Sequence, residues 1–186
     1  MERIGLFIDG SYIYSAAKRM GWNVDHRRVL EHFRGDRALY NAFYYAPITD
    51  PNDERQLKFL DALVFMGYTV RSHEVRGESP NLGVYLVTDL LLTAPRWEVA
   101  LISSGAREIA PAVEAVRAMG KEVRLLGLPE LTDLELRSSS DRFIDIREYR
   151  EVLERQPGGR RVYPDVTAET ESSTVNNVLD ALEEEL

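Results

Sequence analysis

The stretch that decides the fold is Arg3-Ile4-Gly5-Leu6-Phe7-Ile8-Asp9-Gly10-Ser11-Tyr12. A short apolar run within it stops abruptly at Asp9-Gly10-Ser11. An apolar run of this length, closed by turn residues, reads as a strand buried on both faces, as in a parallel sheet. Gly10 lets the backbone turn, and Ser11 can cap a following helix. Asp9 is then held at the carboxyl end of a central strand, where open α/β sheets place their ligands. Asp beside Gly is also ordinary turn chemistry, so the pattern alone leaves a turn and a site both open.

Outward from that strand, apolar residues and stop signals alternate. Ile13, Ala16, Ala17 and Met20 recur at helical spacing, and Gly21 ends them. Asp25 caps a short helix, His26 to Phe33, closed by Gly35. Ala38 to Ala46 is rich in aromatics and bounded by Pro47, which predicts a second strand. Asp50 to Asp53 starts a helix carried by Leu57, Leu60 and Val64 to Gly67, and Tyr68 to Val75 alternates as a third strand. Residues 76–83 are a polar loop. Val84 to Thr93 reads as strand or buried helix, and the clear strand at Glu98 to Ser103 decides for helix. A helix around Ile109, Ala112, Val113 and Val116, a strand at Glu122 to Leu126, a helix from about Glu130 to Arg137, a strand at Phe143 to Ile146 and a helix from Glu148 to Glu154 follow. Strands alternating with helices predict a mostly parallel sheet of five to six strands with helices on both faces.

The chain of 186 residues is long enough for one domain with a sizeable core, here residues 1–156. Residues 157–174 have linker composition. In residues 175–186, Val175, Val178, Leu179, Leu182 and Leu186 fall on one stripe of a short acidic amphipathic helix. That stripe is too narrow to hold a free helix, so docking on a protein partner, self-association and a passive tail all stay open. Cysteine is absent, which excludes disulfides and thiolate metal sites. No apolar stretch approaches the ~20 residues that span a bilayer, and the N-terminus does not read as a signal peptide, so the expectation is a cytoplasmic protein without a membrane role. The net charge is −8, but residues 165–186 carry seven acids and no base. The remaining 24 acids and 23 bases leave residues 1–164 near neutral and compatible with an anionic partner.

Three places carry chemistry. Asp9 ends the first strand, Ser104-Gly105-Ala106-Arg107-Glu108 follows the fourth, and Asp89 is the only charge between Gly83 and Pro95. A carboxylate buried without a partner is costly, so Asp89 faces solvent or a cleft. Acids converging at strand ends would make an oxygen-ligand site for Mg²⁺ or Mn²⁺, suited to phosphodiester hydrolysis. Arg71, Arg76, Lys18, Arg107, Arg142 and Arg160-Arg161 either line a phosphate path or form an ordinary solvated face. Tyr12 and Tyr14 either stack on bases or pack in the core. His26, His32 and His73 are too scattered to make a metal set. Asp141 and Asp145 read as turn and strand-end residues. No G-x-G-x-x-G or phosphate-loop pattern occurs.

The ordered set FIDGSY (Phe7 to Tyr12), GVYLVTD (Gly83 to Asp89), LISSGAREIAP (Leu101 to Pro111), GKEVRLLG (Gly120 to Gly127) and SSSDRFIDI (Ser138 to Ile146) resembles NYN-domain proteins of the LabA-like group, within the PIN-like ribonuclease superfamily. The resemblance implies a three-layer PIN-like, Rossmann-like fold, and RNA as the class of partner. It also implies divalent metal held by aspartates at the sheet's carboxyl edge. Asp9, Asp89 and Glu108 then take the catalytic positions, with Asp9 and Asp89 as metal ligands, and Ser11, Tyr12, Ser104 and Arg107 lie on the nucleic-acid side. The departures are equally specific. Tyr12 replaces the Asn of Asp-Gly-x-Asn, Gly83 replaces the first Asp of the middle motif, and Ser104 to Ile109 replaces Ser-Gly-Asp-x-Asp-Phe, so Ala106 stands where a metal ligand would be. The resemblance therefore implies a degraded acidic site and weak metal binding, in a regulatory or scaffold module. The alternative is an active Mg²⁺- or Mn²⁺-dependent ribonuclease using Asp9, Asp89 and Glu108.

Overall fold

The structure, a computed structural model, describes residues 1–75 and 82–156. The expected linker at residues 157–174, the acidic helix at 175–186, Arg76 and Arg160-Arg161 lie outside the described residues. The first strand, β1 (Arg3–Asp9), leads directly into α1 (Gly10–Met20), and α2 (His26–Arg34), β2 (Ala38–Ile48), α3 (Glu54–Phe65) and β3 (Tyr68–Glu74) follow. Then come α4 (Leu82–Thr93), β4 (Val99–Ser103), α5 (Ala110–Ala118), β5 (Glu122–Gly127), α6 (Leu134–Ser139), β6 (Arg142–Asp145) and the single turn α7 (Arg150–Leu153).

The six strands form one sheet in the order β3-β2-β1-β4-β5-β6, and every neighbouring pair is parallel. The chain builds outward from β1 in one direction through β2 and β3, then restarts beside β1 with β4. The strand order reverses between β1 and β4, and a crevice at the carboxyl ends of such a pair is the usual ligand position in open α/β sheets.

Alternation along β1 divides the core between the two faces. Ile4, Leu6 and Ile8 pack with Ile13 and Ala16 of α1, Val29 and Phe33 of α2, and Leu60 and Leu63 of α3. Phe7 points the other way, to Leu86 and Leu90 of α4 and Val113 and Val116 of α5. Phe7 stacks on Phe43 at 5.3 Å between ring centres and meets the edge of Trp97 at 5.9 Å. Two helical layers thus enclose the sheet.

Local signals place most boundaries. Gly21 closes α1 in the left-handed region at φ 74°, where its N–H reaches the Ala17 carbonyl. The helix expected at Glu148 to Glu154 is only the single turn Arg150–Leu153, after a 3₁₀ turn at Ile146–Tyr149, and the last strand lies one residue earlier than expected. Two further boundaries shift for physical reasons. Strand β2 runs through Pro47 to Ile48, because it outruns β1 and has β3 alone as ladder partner there. The helix expected from Glu130 begins later, at Leu134, because Asp133 caps it by accepting the Glu135 N–H at 2.8 Å.

Candidate functional site

Asp9 stands on the β1 side of the reversal point. Its backbone is still extended, at φ −73° and ψ 112°, and its side chain caps α1. One oxygen, Oδ1, accepts the N–H groups of Ser11 at 3.0 Å and Tyr12 at 3.2 Å. The other, Oδ2, accepts the Ser104 hydroxyl at 3.3 Å, which links β1 to the end of β4. Asp9 is therefore the helix cap, a role the sequence assigns to Ser11. Burial pushes its carboxyl above the usual range, and the three hydrogen bonds partly pull it back.

Asp9, Tyr45 and Arg71 are successive ladder partners across β1, β2 and β3. The Tyr45 hydroxyl donates to Asp89 Oδ2 at 3.1 Å. Arg71 grips the same carboxylate with two nitrogens, Nε to Oδ2 and Nη2 to Oδ1, each at 3.2 Å. Tyr45 is thus the backbone neighbour of Asp9 and, through its hydroxyl, a donor to Asp89. Burial, and then the Asp89 charge, push the Tyr45 phenol far above its ordinary value, so it remains a donor. The Arg71 guanidinium also lies 5.8 Å from the centre of the Phe43 ring.

The β4 end is arranged differently from the acidic pattern. Ala106 is partly buried and packs against the α4–α5 core. Arg107 is exposed and pairs with Glu135 at 2.7 Å. Glu108 is solvent-exposed in the same short turn, Arg107–Ile109. Tyr12 corrects its expected role as a base-stacking residue. It is buried at 8% exposure, its hydroxyl lies 2.6 Å from the Thr132 hydroxyl, and it accepts the Leu128 N–H at 2.9 Å, so it offers no open face to a base. Arg142 opens β6 and so lies at the amino edge of the sheet, away from a phosphate path at the carboxyl edge.

Among the described residues the acids do not gather as a formed divalent-ion site. Both oxygens of Asp89 and both of Asp9 are engaged within the protein, and among the described residues no three His, Asp or Glu side chains gather closely enough to hold a metal. The residues that sequence reasoning missed are Tyr45 and Arg71 as partners of Asp89, and Thr132 as partner of Tyr12. The lone charge in the apolar segment 84–93 was the one available signal that Asp89 needs a cation.

The geometry accords with comparisons to known proteins. The NYN domain family pattern matches residues 3–151, which is nearly all of the described chain. The chain belongs to the NYN-domain family. This NYN domain is 34% identical over 167 residues to the Low amplitude and bright protein LabA of Synechococcus elongatus, covering 83% of this chain and 89% of that protein. The fold is shared with the crystal structure of a protein of unknown function from Vibrio parahaemolyticus, at a TM-score of 0.70 and 22% identity, over 82% of this chain and 96% of that one. The three-layer, all-parallel α/β architecture is thus that of this NYN domain and its structural neighbour alike. Among the described residues no helix is long and apolar enough to cross a membrane.

Proposed function

We propose that this NYN domain binds RNA at the carboxyl edge of its sheet and acts in the cytoplasm as a regulatory or scaffold module with little or no nuclease activity. One observation carries the reading: Asp89 is held by the Arg71 fork and the Tyr45 hydroxyl, so the acid best placed to join Asp9 in a metal site is already neutralised. Family membership supports RNA as the partner class, and the exposed Arg107 guanidinium, with the half-buried Ser11 next to Asp9, offers phosphate oxygens a cation and a hydroxyl donor at that edge. Ser104, expected on the nucleic-acid side, is instead buried and gives its hydroxyl to Asp9. The test combines fluorescence anisotropy of a labelled single-stranded RNA with a cleavage assay in Mn²⁺. The reading expects salt-sensitive binding, and no cleavage above that of Asp9→Asn. Absence of any RNA affinity at low salt would end it.

A second reading keeps Asp9, Asp89 and Glu108 as the reduced carboxylate set of a Mg²⁺- or Mn²⁺-dependent ribonuclease. The observation favouring it is the solvent exposure of Glu108 beside the Ser104 turn, which leaves its carboxylate able to turn toward the edge. Mn²⁺-dependent cleavage that disappears in Asp9→Asn and Glu108→Gln would establish it.

A further inference from the structure

We propose that Arg71 is the built-in cation of this edge: its guanidinium takes the place at Asp89 that a divalent ion would occupy, so metal and Arg71 compete for one carboxylate. The inference deepens the reading of a degraded site and rests on it only for the location of the edge.

The geometry leaves Asp89 little acceptor capacity to spare: three of about four acceptor sites are filled. Asp89 presents two oxygens, and three donors reach them at 3.1–3.2 Å, two from one planar fork and one from Tyr45. Bidentate pairing of this kind is stronger and more directional than a single contact. The Asp89 side chain is only 15% exposed, whereas that of Arg71 is 46% exposed. The carboxylate therefore depends on its partner for neutralisation, while the partner retains a wet side from which it can be displaced. A poorly solvated carboxylate that loses its cation is left costly and seeks another. Arg71 is anchored for the task by its register opposite Tyr45 and by its position over the Phe43 ring. Ala106 on β4's side contributes no oxygen, so a metal arriving at this edge must win Asp89 from Arg71 with little help from elsewhere.

Competition makes a specific statement about metal binding in the absence of RNA. Isothermal titration with MnCl₂ should show no more than weak binding to the wild type. Arg71→Gln should bind Mn²⁺ at least tenfold more tightly, and its melting temperature, lowered in EDTA, should rise again with Mn²⁺ while the wild type hardly responds. Arg71→Lys, which keeps a charge at the site, should retain the exclusion. Arg107→Gln, whose partner is Glu135, should resemble the wild type. The gain should vanish in Arg71→Gln combined with Asp89→Asn. Arg71→Met keeps the aliphatic stem over Phe43 and serves as the second variant if Arg71→Gln folds poorly. Equal Mn²⁺ affinity in the wild type and in a folded Arg71 variant, whether tight or weak, overturns the proposal. RNA is absent from these titrations, so an RNA-binding or cleavage result that ends the functional reading leaves this outcome separately readable.

Discussion

The Tyr12 hydroxyl occupies the space where a β-carbon on Gly127 would stand. The hydroxyl cannot easily give way, because Thr132 and the Leu128 N–H hold it, and the same ring also presses within 2.8 Å of a β-carbon position on Gly105. Gly127→Ala should therefore destabilise the domain by roughly 1–3 kcal/mol, the usual range for overpacking. Urea unfolding gives the value directly. In a Tyr12→Leu background the penalty should shrink, and a full penalty there would place the clash elsewhere.

Acid should weaken the fold through His26. This imidazole lies edge-on to Tyr44 and Tyr68, and burial pushes it down to about 4, with nearby Asp25 opposing in part. An unfolded histidine titrates near ~6.5. Between these values the unfolded chain holds the extra proton, so this contribution is fully present above ~6.5 and is lost as pH falls toward about 4. Asp9, raised above its ordinary range by burial, works in the opposite sense, because protonation relieves its desolvation. Comparison with His26→Phe cancels that second effect. Between pH 7 and pH 5 the wild type should lose about 2 kcal/mol more than His26→Phe, on the order expected for a shift of this size. Parallel losses in the two proteins would assign the acid sensitivity to other groups.

Asp9 should prove dispensable as a charge but not as a cap. Asp9→Asn keeps an acceptor for the Ser11 and Tyr12 N–H groups and removes the desolvated charge, so its melting temperature should equal or exceed that of the wild type. Asp9→Ala leaves those donors without their cap and should lower stability by roughly 0.5–2 kcal/mol. Asn less stable than Ala would contradict the capping role.

Arg107 separates binding from folding. Its pair with Glu135 is exposed on both sides, and such pairs contribute ~1 kcal/mol or less. Arg107→Ala should leave unfolding nearly unchanged. It should weaken RNA binding at low salt and reduce the slope of log affinity against log salt by about 1. An unchanged slope would take Arg107 off the RNA path.

The parts of the molecule legible in the sequence are those decided by neighbours in the chain. The apolar run ending at Asp9, the glycine stops at Gly21 and Gly35, the Asp25 cap and the helix start at Asp50 to Asp53 depend on three or four consecutive residues each, and all stand as read. The candidate site is legible only in its positions. Asp9 and Asp89 could be singled out, but the partner of Asp89 comes from β3, and it is brought there by an alignment of strand and helix that no local pattern encodes. Tyr12 was ambiguous for the same reason. Its burial depends on two distant glycines, Gly105 and Gly127, whose role is to lack a side chain. Asp141 reads as a turn residue, yet it joins α5 to β5 by accepting from Arg117 at 2.7 Å and from the Val123 N–H at 2.8 Å. Pairings across the fold are invisible to periodicity.

The central place of β1 has a consequence for biosynthesis. Ile4 pairs with Leu39 on one side and with Val99 on the other. A ribosome adding about 5–20 residues per second needs roughly 5–20 s to make the chain between the two pairing partners Ile4 and Val99. Throughout that interval one flank of an almost wholly apolar strand has no permanent neighbour. Premature pairing of nascent chains with one another is therefore a hazard concentrated in the earliest strand of the fold, and it ends when β4 leaves the exit tunnel.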